Sequence, residues 1–202
     1  MSTRNEPLED SRPERQEQSH TPRWVWWLLA AVIGSGALLR ILFWIKFPVI
    51  ATDGVGYCYN ARNIFTGGKL SLIHYPFYSV PVGLFWLVLG DLQFCARLVS
   101  FVSGTALIPL VYLLGRRLFD WRVGIVSAGI IAFLPQLVWY STQEMTESFY
   151  AFMYLASIHI FLSAWQRQKW GLFVLFAGVA GLTFLTRAEG LGLLGISLCV
   201  LL

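Results

Sequence analysis

Ala51-Thr52-Asp53-Gly54-Val55-Gly56-Tyr57, with Asn60-Ala61-Arg62 after it, holds the first acid beyond the N-terminal tail. An ionised carboxylate at Asp53 can serve as a general base or hold a polar substrate. Gly54 and Gly56 beside it would let a ligand approach the backbone closely. Past residue 23 the only other acids are Asp91, Asp120, Glu144, Glu147 and Glu189. Glu144 and Glu147 are three apart and would share one face of a helix. Acids are favoured at helix N-termini on electrostatic grounds alone, so a purely structural role competes with a chemical one. Arg187 can point its planar fork at a phosphate or pair with Glu189 at the surface. Arg40 lies late in the first apolar run. It either snorkels to the headgroups or faces a polar cavity holding Asp53 or an anionic ligand. His74 and Tyr75 precede Pro76 in a turn, and with Tyr57 they complete the candidate ligand set. His159 stands alone in an apolar run, where a hydrogen bond to a neighbouring helix is the expected role.

The elements that must carry these residues are membrane helices. The chain is 56% hydrophobic and 13% charged, against about a quarter charged in ordinary soluble domains. Several apolar runs approach or exceed the roughly 20 residues that cross a bilayer. A formal charge of +4, spread over separate arginines, argues against nucleic-acid binding. Three cysteines without metal-type spacing, Cys58, Cys95 and Cys199, read as free thiols, with a Cys58–Cys95 disulfide as the alternative. No metal site is expected from this pattern.

Residues 1–23 are polar, rich in Glu, Arg, Ser and Pro and free of aromatics, which predicts a disordered cytoplasmic tail. Residues 24–202 form the membrane domain. The first helix is expected from about Trp24 to Phe47, with Trp24, Trp26 and Trp27 at the interface. An outer loop at about 48–91 carries a short surface helix ending at Gly67-Gly68 and the apolar segment Phe77 to Leu89. That segment is too short to span and reads as interfacial or re-entrant. Further helices are expected at Leu92 to Phe119, capped by Asp91, and at Trp121 to Tyr140, Glu147 to Trp165 and Trp170 to Thr186. A sixth begins after Gly190 and is cut off at Leu202, as in an N-terminal fragment of a longer protein. The fold class is therefore all-α, a polytopic transmembrane bundle of about five complete spans plus a truncated sixth. With the N-terminus inside, Arg116, Arg117, Arg122, Arg167 and Lys169 fall in cytoplasmic loops, as positive charges should. Asp53, Asp91, Glu144, Glu147 and Glu189 then share the outer face, and Asp120 alone stays inside.

The order of these stations resembles a known family. An arginine late in helix one is followed by Asp53, Tyr57, Ala61, Arg62 and Gly67, then Tyr75-Pro76 and Gly90-Asp91 with Ala96-Arg97-Leu98. Next come Tyr112-Leu113-Leu114-Gly115-Arg116-Arg117-Leu118-Phe119, Pro135 before Tyr140-Ser141, Thr146-Glu147 and Leu185-Thr186-Arg187-Ala188-Glu189-Gly190. The pattern is similar to the N-terminal half of GT-C-type polyprenyl-phosphate-sugar-dependent glycosyltransferases, the membrane enzymes related to protein O-mannosyltransferases and the lipid A aminoarabinose transferase. Gly54, Phe77 and Ala188 depart from residues frequent in those relatives.

The resemblance implies an inverting glycosyltransferase in the cell membrane, with its active site on the extracytoplasmic face and Asp53 as general base. It implies a polyprenyl-phosphate-linked sugar as donor and Arg40, Arg62 and Arg187 as candidates for its phosphate. Membrane lipids are the other expected partners. No cofactor is assigned, and a divalent cation is left open. The fragment alone is expected to be inactive. A transporter or flippase would place ionisable groups at mid-bilayer, and a non-catalytic scaffold would leave the one-sided acids without purpose.

Overall fold

The computed structural model describes residues 21–48, 50–71, 73–193, 195 and 197. All regular elements among them are helical. The expected tail lies, for residues 1–20, outside the described residues, and so does most of the sixth helix.

Among the described residues, three helices are long and apolar enough to cross a membrane: α1 (Arg23–Lys46), α4 (Leu92–Leu118) and α7 (Glu147–Arg167). Between α1 and α4 the chain forms α2 (Thr52–Thr66) and α3 (Ser79–Leu89). Gly67 and Gly90 end these two helices in the left-handed conformation (φ 72° and 79°), which glycine adopts without a Cβ penalty. With 11 residues, α3 is about 16 Å long and cannot traverse a hydrocarbon core of about 30 Å. Its Pro81 sits in the first turn, where the missing N–H is harmless.

The expected helix from Trp121 to Tyr140 is broken. It divides into α5 (Trp121–Phe133) and α6 (Pro135–Tyr140), with Leu134 extended between them at φ −63° and ψ 116°. A residue before proline is pushed out of the helical region, and Pro135 cannot continue the hydrogen-bond ladder. The last long element, α8 (Trp170–Phe184), stops two residues short of Thr186, and a 310 turn follows at Ala188–Gly190.

The bundle is organised around α4, which packs on α1, α2, α3, α5, α6 and α7. Asp91 caps α4 by accepting from the Phe94 N–H at 3.0 Å, and Asp120 caps α5 through Val123 at 2.8 Å. One apolar cluster joins α2, α3 and α4 around Cys58, Ala61, Val82, Cys95 and Val99. Cys58 and Cys95 are both free thiols there. A second cluster joins α1, α4 and α5 around Leu29, Ile108, Tyr112 and Ala128. Large apolar residues such as Trp27, Ile45, Val88 and Val174 stay exposed on the outside, as a lipid-facing surface requires. This is a membrane helical bundle.

Its two ends differ in charge. One end gathers the starts of α4 and α7 and the stretch after α8, with Asp91, Glu147, Arg187 and Glu189; the other gathers Arg116, Arg117, Asp120, Arg122, Arg167 and Lys169.

Candidate active site

The acid end is built on α2, α7 and the stretch after α8. Asp53 occupies the first turn of α2 and is exposed. No hydrogen bond or ion pair holds its carboxylate among the described residues. Tyr57, one turn on, lies on the same face of the helix. Burial raises the Tyr57 phenol above its ordinary value, Thr146 hydrogen-bonds it, and Asp53, Glu147 and Arg187 all lie within electrostatic reach.

Glu147 sits in the first turn of α7, where the helix dipole favours an acid. It accepts from Arg187 Nη1 at 2.8 Å, while Glu189 Oε1 lies 3.2 Å from Arg187 Nη2. Arg187 also lies over the Tyr150 ring, 5.9 Å from its centroid. The hydrogen bond to Glu189 is the chief reason the guanidinium binds its proton more tightly than usual, and the same bond holds the Glu189 carboxyl below its ordinary value. Arg187 remains a third exposed and Glu189 60% exposed. Solvent or a ligand can therefore compete for this pair, whereas the Glu147 oxygen is more sheltered.

The turn at 74–77 is tied in from two sides. Asn60 is buried on α2 and clamps Ser71 in both directions, donating to its carbonyl at 3.1 Å and accepting from its N–H at 2.8 Å. The Phe77 N–H donates to the Leu185 carbonyl at 3.2 Å, and the Tyr75 ring meets Phe184. His74 thereby lies edge-on to Tyr57, with ring centroids 4.8 Å apart. Leu70, Ser71, His74, Tyr75 and Pro76 line a small cleft beside it.

The two glycines of the Asp53 stretch have a different task from the one their types suggest. A Cβ at Gly54 would stand 2.6 Å from Glu144 Cβ, and one at Gly56 would collide with the His74 ring. Both make room for side chains of this protein and leave no open approach for a ligand.

Two arginine expectations also change. Arg40 is fully buried and neither snorkels nor faces Asp53. Its Nε donates to Ser141 Oγ at 2.9 Å, Nη1 to the carbonyls of Gly36 and Ala132, and Nη2 to that of Ile131 at 3.2 Å. Ile131 and Ala132 lose their helical partners at the Leu134-Pro135 break, so Arg40 caps the broken end of α5. Arg62 is exposed on α2 nine residues after Asp53, about 180° round the helix. It shares the outer face with Val55 and Tyr59 and is turned away from the cluster.

Sequence reasoning passed over Arg97. It is almost fully buried and donates to Thr142 O at 2.8 Å and to Trp44 O and Phe47 O at 2.9 Å each. It also lies 3.9 Å from Glu144, which is wholly buried. These partners lie 45 to 53 residues from Arg97 in sequence, and no local pattern announces them. At mid-bundle, His159 Nε2 pairs with Leu110 O at 2.9 Å, as expected of an isolated membrane histidine. No group of three or more His, Cys, Asp or Glu able to hold a metal ion occurs among the described residues.

The family described as dolichyl-phosphate-mannose-protein mannosyltransferase matches residues 74–202, more than half of the chain. The chain belongs to this family. It is a membrane glycosyltransferase of the mannosyltransferase kind. The match covers His74, Tyr75, Arg97, Glu144, Glu147, Arg187 and Glu189, and begins after Arg40, Asp53, Tyr57 and Arg62. No curated protein and no solved structure gives a significant match. In this mannosyltransferase-family chain, Asp53, Tyr57, His74, Tyr75, Glu147, Arg187 and Glu189 come together at one end of the bundle, and Arg40 and Arg62 stand apart.

Proposed function

We propose that this chain carries the catalytic end of a GT-C-type enzyme that transfers a sugar from a polyprenyl-phosphate donor to a hydroxyl- or amine-bearing acceptor, with inversion. The observation that carries the reading is an exposed, unpaired Asp53 carboxylate on the same end as an arginine poised beside replaceable carboxylates. Asp53 takes the proton from the acceptor as its oxygen or nitrogen forms the bond to the anomeric carbon. The bond between that carbon and the phosphate oxygen breaks, and the electron pair leaves with the polyprenyl phosphate. A positioned base is worth about 10²–10⁴-fold in rate.

Arg187 neutralises the departing phosphate, for which its planar fork is suited. Glu147 keeps the guanidinium in place while Glu189, the more exposed partner, yields to the phosphate. Tyr57 and the His74 ring packed edge-on against it wall the site beside Asp53 and orient the sugar. The acid end faces the extracytoplasmic side of the cell membrane, since the opposite end carries the arginines that mark cytoplasmic loops.

The test is Asp53→Asn in the full-length protein, assayed in membranes with polyprenyl-phosphate mannose as donor. Sugar transfer should fall by at least about a hundredfold at unchanged protein level. Transfer at the wild-type rate would exclude Asp53 as the base.

A further inference from the structure

Glu144 is wholly buried, although an ionised carboxylate is costly to bury without partners. Its Oε2 accepts the backbone N–H of Ala51 at 3.1 Å. Ala51 is the N-cap residue of α2 and has no side-chain oxygen to offer; α2 has no side-chain cap of its own. In a capping box, the N-cap N–H is satisfied by a Glu at the third helical position. That position in α2 is Gly54. A Cβ built on Gly54 would stand 2.6 Å from Glu144 Cβ and 3.4 Å from Glu144 Oε2. The glycine thus vacates the space in which Glu144 reaches Ala51 from 93 residues away.

The other carboxylate oxygen, Oε1, is buried without a hydrogen bond and lies 3.9 Å from Arg97 Nε. Arg97 is itself fixed to the end of α1 through Trp44 O and Phe47 O, and to the loop before α7 through Thr142 O. The chain from α1 to Arg97 to Glu144 to Ala51 therefore sets the first turn of α2 against the rest of the bundle. Asp53 lies in that turn and has no side-chain partner among the described residues, so the placement of its backbone sets the region its carboxylate rotamers can reach.

We propose that Glu144, braced by Arg97, is a positioning residue that caps α2 in trans and thereby aims Asp53 at the acceptor. The proposal rests on the reading of Asp53 as general base. Glu144 touches no reacting atom and acts through the helix start.

The experiment compares Glu144→Ala, Glu144→Gln and Glu144→Asp in the full-length membrane protein. The readouts are hydrogen exchange of the Ala51 amide and kcat and KM for polyprenyl-phosphate mannose. Glu144→Ala should speed exchange at Ala51 and lower kcat about a hundredfold, the cost of misplacing a reacting group by about 1 Å, with KM little changed. Gln has the same length and keeps an acceptor for the N–H, so it should retain most of both. Asp keeps the charge facing Arg97 but falls short of Ala51, so it should resemble Ala. In an Asp53→Asn background, Glu144→Ala should cost nothing further.

Unchanged exchange at Ala51 in Glu144→Ala, fast exchange with wild-type kcat, or a full additional loss in the Asp53→Asn background would each overturn the proposal. If Glu144→Ala does not accumulate in the membrane, the order of the other two decides, and a higher kcat for Asp than for Gln overturns it. Wild-type transfer by Asp53→Asn alone would remove the base assignment, while the exchange result would still report on the cap.

Discussion

The acid end and the arginine end of the bundle use charge in opposite ways. At the arginine end the half-buried Arg117 is held by neutral partners. Arg117 donates to His159 O, Ser163 Oγ and Gln166 Oε1 at 2.7–3.1 Å, and Arg116 and Arg122 lie over Trp26 and Trp121. Asp120 caps α5. At the acid end Asp53 is left unpaired, and Arg187 divides its donors between two carboxylates, one of them well exposed. A cation that leaves the solvent at the structural end is tied down by neutral groups. Exchangeable charges at the acid end are what the proposed handling of an acceptor proton and a phosphate requires.

The largest expected effect separates the ends outright. Asp53→Asn should lower transfer by about 10²–10⁴-fold, while Arg117→Gln should leave the rate per folded molecule nearly unchanged, because its partners His159, Ser163 and Gln166 lie at the opposite end of the bundle from Asp53. Equal losses in the two variants would end the comparison. Next is Arg187→Met, for which loss of a positioned donor to developing charge should lower kcat about 10²–10³-fold. Steady-state kinetics with polyprenyl-phosphate mannose reads this, and a change confined to stability would return Arg187 to a structural role.

Arg40→Met tests the interior between the ends. It strips hydrogen-bonding partners from Ile131 O and Ala132 O at the α5 break and should cost about 3 kcal/mol. A lower unfolding temperature in detergent with kcat per folded molecule intact would place Arg40 among the structural cations. The smallest effect concerns Glu189. Its carboxyl titrates below the unperturbed value of 4.5, so its contact with Arg187 contributes above that pH and is lost as pH falls through the lowered folded value. The difference in unfolding temperature between wild type and Glu189→Gln should therefore be small at neutral pH and vanish on acidification. A difference that grows in acid would reverse the assigned sign.

The chain's own pattern made much of this legible. Apolar runs locate α1, α4, α7 and α8, because a segment that must satisfy its backbone inside lipid has to be a helix. Asp91 was readable as a cap, and Gly67 as a stop, because those are local backbone requirements. The pairing of Arg187 with Glu189 was readable too, as two residues on one turn. Pro135 was visible as a residue, but its consequence was not. A proline in an apolar run is tolerated when neighbours repair the freed carbonyls, and the repairing side chain, Arg40, lies 91 and 92 residues from the two freed carbonyls.

Composition and periodicity alone determined a helical membrane protein with acids and arginines sorted to different loops, since both follow from the cost of polar groups in hydrocarbon. Only the tertiary structure decided which charges are free. Arg40 and Arg97 are spent on the carbonyls of α5 and α1, Glu144 reaches the start of α2 across Gly54, and Arg62 points away from Asp53. The physical reason is that satisfaction of a buried charge depends on which backbone groups other helices leave unpaired beside it, and that is set by packing between segments far apart in the chain.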